Sequence, residues 1–142
     1  MADQDIVNLA REMITAQNAH DNARLGATVT DDFIYDEFGT HRRVQGRQEW
    51  LEIWQGWRQV FPDVKGSVKN IFVRGNQALA ETVWDGTFRG DLVTPGGTVS
   101  GTGKRMEQLA VAFVYTAEGR KFKEVHAYFD LMDLLRQIGA TP

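Results

Sequence analysis

Few side chains in this chain could do chemistry. Cysteine is absent, which removes thiol nucleophiles, Cys-ligated zinc, iron–sulfur clusters and disulfides together. The three histidines, His20, His41 and His126, show no HxxxH or HExxH spacing, so a histidine-rich metal site is not expected. What remains is carboxylate, imidazole and phenol chemistry, which needs no cofactor and no metal. Tyr35, Asp36 and Glu37 are consecutive, and Asp85 and Glu107 lie further along. Acids of this kind are otherwise solvated or ion-paired, and for Glu37 the candidate partners are His41 and Arg42. Trp50, Trp54, Trp57 and Phe61 recur at i, i+4, i+7 and i+11, one continuous helical face. Such a stripe serves as core, as ligand wall, or as both.

The elements that must position these residues are legible in the hydrophobic pattern. Ile6, Leu9, Ala10, Met13, Ile14 and Gln17 share one face of a helix over residues 3–19. His20-Asp21-Asn22 breaks it, and Asp21 caps a short second helix ending near Thr28. Phe33–Glu37 reads as a short strand in which Tyr35 shares parity with Glu37, and a basic loop of His41, Arg42 and Arg43 follows. A helix over 46–60 carries the tryptophans and stops at Pro62-Asp63. The period then changes to two. Strands are expected over 64–74 and 77–89, joined at Gly75-Asn76, and over 104–115 and 121–129, joined around Ala117-Glu118-Gly119. The Gly- and Thr-rich stretch 91–103 reads as a loop. Asp130 caps a last helix, 131–138. Helices and antiparallel strands are segregated, which gives an α+β class.

Length and composition set the outer bounds. The chain has 142 residues, one domain over residues 1–142 and long enough to bury a core without staples. Sixteen basic residues against nineteen acidic ones leave a net charge of −3, which argues against a nucleic-acid partner, since phosphate-neutralising domains are strongly basic. No apolar run approaches the ~20 residues of a membrane span, and the acidic N-terminal segment does not read as a secretory signal. A cytoplasmic protein without membrane contact is the expectation.

Several pieces, in order, carry a family likeness: DDFIYDEFG (31–39), VFPD (60–63), WDGTFRG (84–90), GTGKR (101–105) and AYFDLMDLLRQIG (127–139). Together they span nearly the whole chain. The set resembles the SnoaL-like polyketide cyclase family, within the nuclear-transport-factor-two-like superfamily that also holds ketosteroid isomerases and limonene epoxide hydrolases. The resemblance implies a cone: a curved, mixed, mainly antiparallel sheet wrapped around the N-terminal helices, enclosing a deep apolar pocket. It also implies a hydrophobic small-molecule ligand and a homodimer formed through the outer sheet face. Fold alone does not settle function, because relatives include catalytically silent binding modules.

Carried over position by position, the resemblance puts the isomerases' carboxylate base at Glu37, followed here by Phe38 where the family pattern has Pro. The isomerases' oxyanion donors fall on Met13 and Val111, neither of which can donate. The acid–base positions of the cyclases fall on Ala127, Phe113 and Val111, and the acid of the epoxide hydrolases again on Ala127. Val111, Phe113 and Ala127 therefore make an apolar wall, with Val125 and Phe129 sharing the parity of Ala127. His126 and Tyr128 then face outward. A one-residue slip would bring His126 into the pocket as the acid–base group instead. The expected site is Glu37 or His126 for catalysis, with Met13, Gln17, Tyr35, Trp54, Trp57, Phe61, Val111, Phe113 and Ala127 around the substrate. The expected activity is a cyclase- or isomerase-type proton transfer on a hydrophobic polyketide- or steroid-like carbonyl compound. The alternative is a non-catalytic binding or accessory protein of the same fold.

Overall fold

The computed structural model describes residues 1–94 and 96–140. Helix α1 (Asp3–Asn18) buries Ile6, Ala10, Met13, Ile14 and Gln17, the face its apolar spacing defines. It ends where His20 takes a positive φ of 54°. Asp21 then accepts the Arg24 amide at 3.1 Å and caps α2 (Asn22–Gly26). The first strand, β1 (Val29–Glu37), starts four residues before the expected Phe33. The basic stretch is a strand rather than a loop. β2 (Arg42–Gln45) pairs antiparallel with β1, setting Glu37 opposite Arg42 and Asp36 opposite Arg43. Polar, mostly exposed edge strands of this length carry almost no period-two apolar signal, which is why the pattern hid it.

Helix α3 (Arg47–Val60) presents the tryptophan face inward, with Trp50 and Trp54 buried and Trp57 half-buried. Strands β3 (Lys65–Arg74) and β4 (Gln77–Thr87) form the hairpin expected at Gly75-Asn76, with Gly75 at a φ of 60° that suits glycine. The stretch read as a loop holds a small second sheet, β5 (Leu92–Thr94) paired with β6 (Gly97–Val99). Strands β7 (Arg105–Glu118) and β8 (Lys121–Phe129) follow, and α4 (Leu131–Ile138) is capped by Asp130, whose carboxylate accepts the Asp133 amide at 3.2 Å.

The main sheet runs β2-β1-β8-β7-β4-β3. Only β1 and β8 pair in parallel; the other pairs are antiparallel, so the sheet is mixed and mainly antiparallel. Register irregularities at Val29/Ile34, Val68/Asn70, Trp84/Gly86 and Thr116/Ala117 bend the strands, and bulges of this kind strengthen twist and curl a sheet. Curvature lets one face wrap α1 and α3 in the cone expected from the sequence. Gly66 permits one close approach there: a Cβ on it would stand 2.7 Å from the Trp84 ring.

Register fixes which face each candidate serves. Across four strands, Ala80, Phe113, Ala127 and Glu37 are successive partners in one row of the concave face. Phe72, Leu79, Val114, His126 and Asp36 form a row of the convex face. The wall parity expected for Val111, Phe113 and Ala127 is the one present. The one-residue slip that would have turned His126 inward does not occur.

Candidate active site

The concave face and the two long helices line a cavity of about 90 Å³. Met13, Gln17, Tyr35, Glu37, Trp54, Trp57, Phe61, Val111, Phe113 and Ala127 all line it. Trp50, Ile53, Val64, Trp84, Met106, Leu109, Val125, Phe129 and Leu134 complete the wall. These are hydrocarbon and indole surfaces, placed there by helical period on α1 and α3 and by alternation on β7 and β8. His126 is not among them. It stands on the convex face, 2.5 Å from Glu124 Oε2, with Phe38 and Tyr128 beside it. Its imidazole cannot reach a molecule held in the cavity.

Glu37 is the one carboxylate on the cavity wall and is fully buried. Burying an ionised carboxylate is costly unless it is paired and hydrogen-bonded, and here five donors converge on it. Tyr35 donates its hydroxyl to Oε2 at 2.7 Å, and Trp57 donates Nε1–H to the same oxygen at 3.0 Å. Oε1 accepts from the Thr40 hydroxyl at 2.5 Å and from Arg42 Nε and Nη2 at 3.0 and 2.8 Å. Both Arg42 bonds go to a single oxygen. The Arg42 side chain is 44% exposed, so the ion pair spans the boundary between the interior and solvent. Its guanidinium also lies 5.5 Å from the centre of the Trp57 ring, a cation–π contact.

Tyr35 takes its position from parity, two residues from Glu37 on the same face of β1. Burial pushes its phenol well above the usual tyrosine range, and the charge and hydrogen bond of Glu37 push the same way. Tyr35 therefore stays protonated and remains a donor at any ordinary pH. Thr40 and Arg42 are the polar residues that sequence reasoning left outside the site. The pairing of Glu37 with Arg42 was one of two options for a solvated acid, and the structure realises it with the acid buried. The available signal was the antiparallel turn that returns Arg42 opposite Glu37, and it required β2 to be seen as a strand.

A wider groove of about 570 Å³ lies outside this cluster. Thr40, His41, Arg42, Trp57, Leu92, Val93 and Leu131 are among its walls. Trp57 borders both spaces and Arg42 caps it, so the Arg42–Trp57–Glu37 cluster forms the partition between groove and cavity. Among the described residues no cluster of three or more His, Asp or Glu groups is placed to hold a metal ion. Nor is any helix among them long and apolar enough to cross a membrane.

Comparison with known proteins agrees with this architecture. The family model of the SnoaL-like polyketide cyclases matches residues 7–138. A candidate SnoaL-like polyketide cyclase from Jannaschia sp. CCS1 has a similar structure, with 18% identity and a TM-score of 0.84 over 98% of this chain and 94% of that one. IdmH, a candidate polyketide cyclase from Streptomyces antibioticus, gives 22% identity and a TM-score of 0.79 over 94% and 98%. An epoxide hydrolase of the limonene type from M. tuberculosis gives 16% identity and a TM-score of 0.73 over 95% and 90%. At these identities the structural likeness shows the fold. Among curated proteins, none matches the chain in sequence.

Proposed function

The chain belongs to the SnoaL-like polyketide cyclase family, and from that premise we propose a cofactor-independent proton transfer on a hydrophobic carbonyl compound, with Glu37 as the base. The observation that carries the reading is a single fully buried carboxylate set into a largely apolar cavity wall. A carboxylate positioned against a bound ligand can take a proton from the carbon beside a carbonyl as a general base. Tyr35 and Trp57 both bond Oε2, and their N–H and O–H groups are the donors nearest the transferred proton. Thr40 and Arg42 hold Oε1, and Oε2 becomes the working oxygen once Trp57 withdraws its N–H.

The sizes of the two spaces shape the substrate. Pockets that enclose whole ligands commonly measure 300–1,000 Å³, and the inner cavity is about 90 Å³. A polyketide- or steroid-like molecule therefore places its reacting end inside and the rest in the groove. Displacement of Trp57, which borders both, joins the two spaces. The test is hydrogen–deuterium exchange at the α-carbon of polycyclic ketones in D2O, followed by proton NMR. The expected result is acceleration by the wild type and a loss of roughly 100-fold or more in Glu37→Gln, as for removal of a general base. Unchanged exchange in that variant would falsify the assignment.

One observation favours a second reading, a binding or accessory protein. The five donors exceed the roughly four lone-pair sites of a carboxylate, so Glu37 must release a partner before it accepts a proton. In this reading ligands bind and are recovered unchanged. The convex face supports a further element of the proposal, a homodimer. Phe38 and Tyr128 are exposed there and stack at 4.6 Å, and Phe72 is 59% exposed. Exposed aromatic surface of this kind marks association sites.

A further inference from the structure

The inner cavity has a second polar pole, distinct from Glu37. Gln17 Oε1, from α1, and Trp54 Nε1, from α3, are buried without a hydrogen-bond partner among the described residues. Both residues line the cavity, and they are only 6% and 7% exposed. The contrast with neighbouring indoles is specific. Trp57 donates to Glu37, and Trp84 donates to the Thr82 hydroxyl at 2.8 Å. Trp54 packs edge-on against Trp84 at 5.9 Å, yet its own N–H is left over. A donor and an acceptor buried unpartnered in one largely apolar cavity wall carry their full desolvation cost. Folded proteins keep such groups where something else completes them.

We propose that Gln17 and Trp54 form a recognition subsite for a ligand hydroxyl. A hydroxyl carries both complementary roles, an oxygen that can accept from Trp54 Nε1 and an O–H that can donate to Gln17 Oε1. A ketone oxygen meets only the first, and a methyl group meets neither. The ligand class is thus narrowed to a hydrophobic molecule with a phenolic, enolic or alcoholic hydroxyl on the end that enters the cavity. A site built to hydrogen-bond a hydroxyl discriminates against the analogue lacking it, because its polar groups are then stranded. This inference rests on the cavity being the ligand site, as proposed above, but not on Glu37 moving a proton.

Phenol and toluene test it, being single rings of nearly equal shape that differ by one hydroxyl. The protein is labelled with nitrogen-15, its indole N–H signals are assigned, and each probe is titrated separately. Phenol is expected to move the Trp54 indole proton downfield, the direction of a new hydrogen bond, while toluene leaves it without that shift. In Trp54→Phe and in Gln17→Leu, the preference for phenol over toluene is expected to fall roughly three- to tenfold, the range of one neutral hydrogen bond. The subsite is overturned if phenol fails to bind or leaves the Trp54 signal in place while other cavity signals move. An unchanged preference in both variants overturns it too. If a variant does not fold, the wild-type titration still decides the matter. Proton exchange in Glu37→Gln reports on the base alone, so failure of one assignment is separable from failure of the other.

Discussion

Replacing Arg42 with Met should destabilise the fold by about 2 kcal/mol. Methionine keeps much of the aliphatic stem and removes the charge and the donors. Two charge-assisted bonds to Glu37 Oε1 are lost, at 3.0 and 2.8 Å. Breaking a wholly buried ion pair by removing one partner costs about 3–5 kcal/mol. Two features reduce that figure here. The Arg42 side chain is 44% exposed, so part of its attraction is already screened. Tyr35, Thr40 and Trp57 still hold Glu37 after the change. Discounting for both leaves about 2 kcal/mol, or a fall in melting temperature of about 7 °C at this chain length. The assay is urea unfolding at neutral pH, followed by tryptophan fluorescence. Glu37→Gln and the double variant complete a thermodynamic cycle. If the pair is coupled as the geometry indicates, the double variant loses less than the sum of the single ones by about 1 kcal/mol or more. Arg42→Met within about 0.5 kcal/mol of wild type, or additivity to the same margin, would refute the claim that Arg42 secures the buried carboxylate.

Other sites give independent checks. The Tyr115 hydroxyl is buried without a partner among the described residues, so Tyr115→Phe should be neutral or stabilising by up to about 1 kcal/mol in the same unfolding assay; a loss beyond that would show an unseen bond. Burial opposes ionisation of Asp63, but the amide and hydroxyl of Thr87, with Arg105, hold its carboxyl below the ordinary range. A depressed folded-state pKa adds stability above the unfolded value and loses it as pH falls through the folded one. Stability should therefore drop from about pH 4 downward, and Asp63→Asn should flatten that part of the curve. The effect stays under about 1 kcal/mol because the side chain is 49% exposed; identical acid limbs in the two proteins would contradict it. If the proposed homodimer forms through the convex face, Tyr128→Lys should shift the sedimentation of the protein toward the monomer, and a variant that sediments like the wild type would exclude this patch from the contact.

Much of this was legible because it rests on periodicity. The 3.6-residue spacing on α1 and α3 put Met13, Gln17, Trp54, Trp57 and Phe61 on inward faces, and the family resemblance supplied the cavity those faces line. Alternation on β7 and β8 did the same for Val111, Phe113 and Ala127, and kept His126 outside. Caps at Asp21 and Asp130 were readable because their partners are local, three residues away. Three features were not legible, each for a physical reason. Strand β2 is an exposed polar edge with no apolar rhythm. The β5–β6 hairpin is three residues a side, too short for a period to show. The full set of donors on Glu37 comes from β1, the turn after it, β2 and α3, and sequence spacing does not reveal which of many polar groups will converge on one carboxylate.

That convergence bears on how the two poles of the cavity divide the work. Glu37 is satisfied by the protein itself, so a ligand gains little by approaching it in the ground state. Gln17 and Trp54 are unsatisfied, so a ligand gains there at once. Binding energy is thus available at Gln17 and Trp54, while the rearrangement that the proposed proton transfer requires lies at Glu37, which Trp57 must release. Interactions remote from the reacting atoms commonly supply the energy for such positioning. A ligand that engages only the Gln17–Trp54 pole should therefore bind without turnover. One long enough to displace Trp57 as well should acquire reactivity, which fits a substrate spanning the cavity and the groove. Measuring α-carbon exchange for a series of hydroxylated ketones of increasing length would separate the two regimes. Exchange that begins only once the chain reaches Trp57 supports the division, and exchange of the shortest ketones at full rate contradicts it.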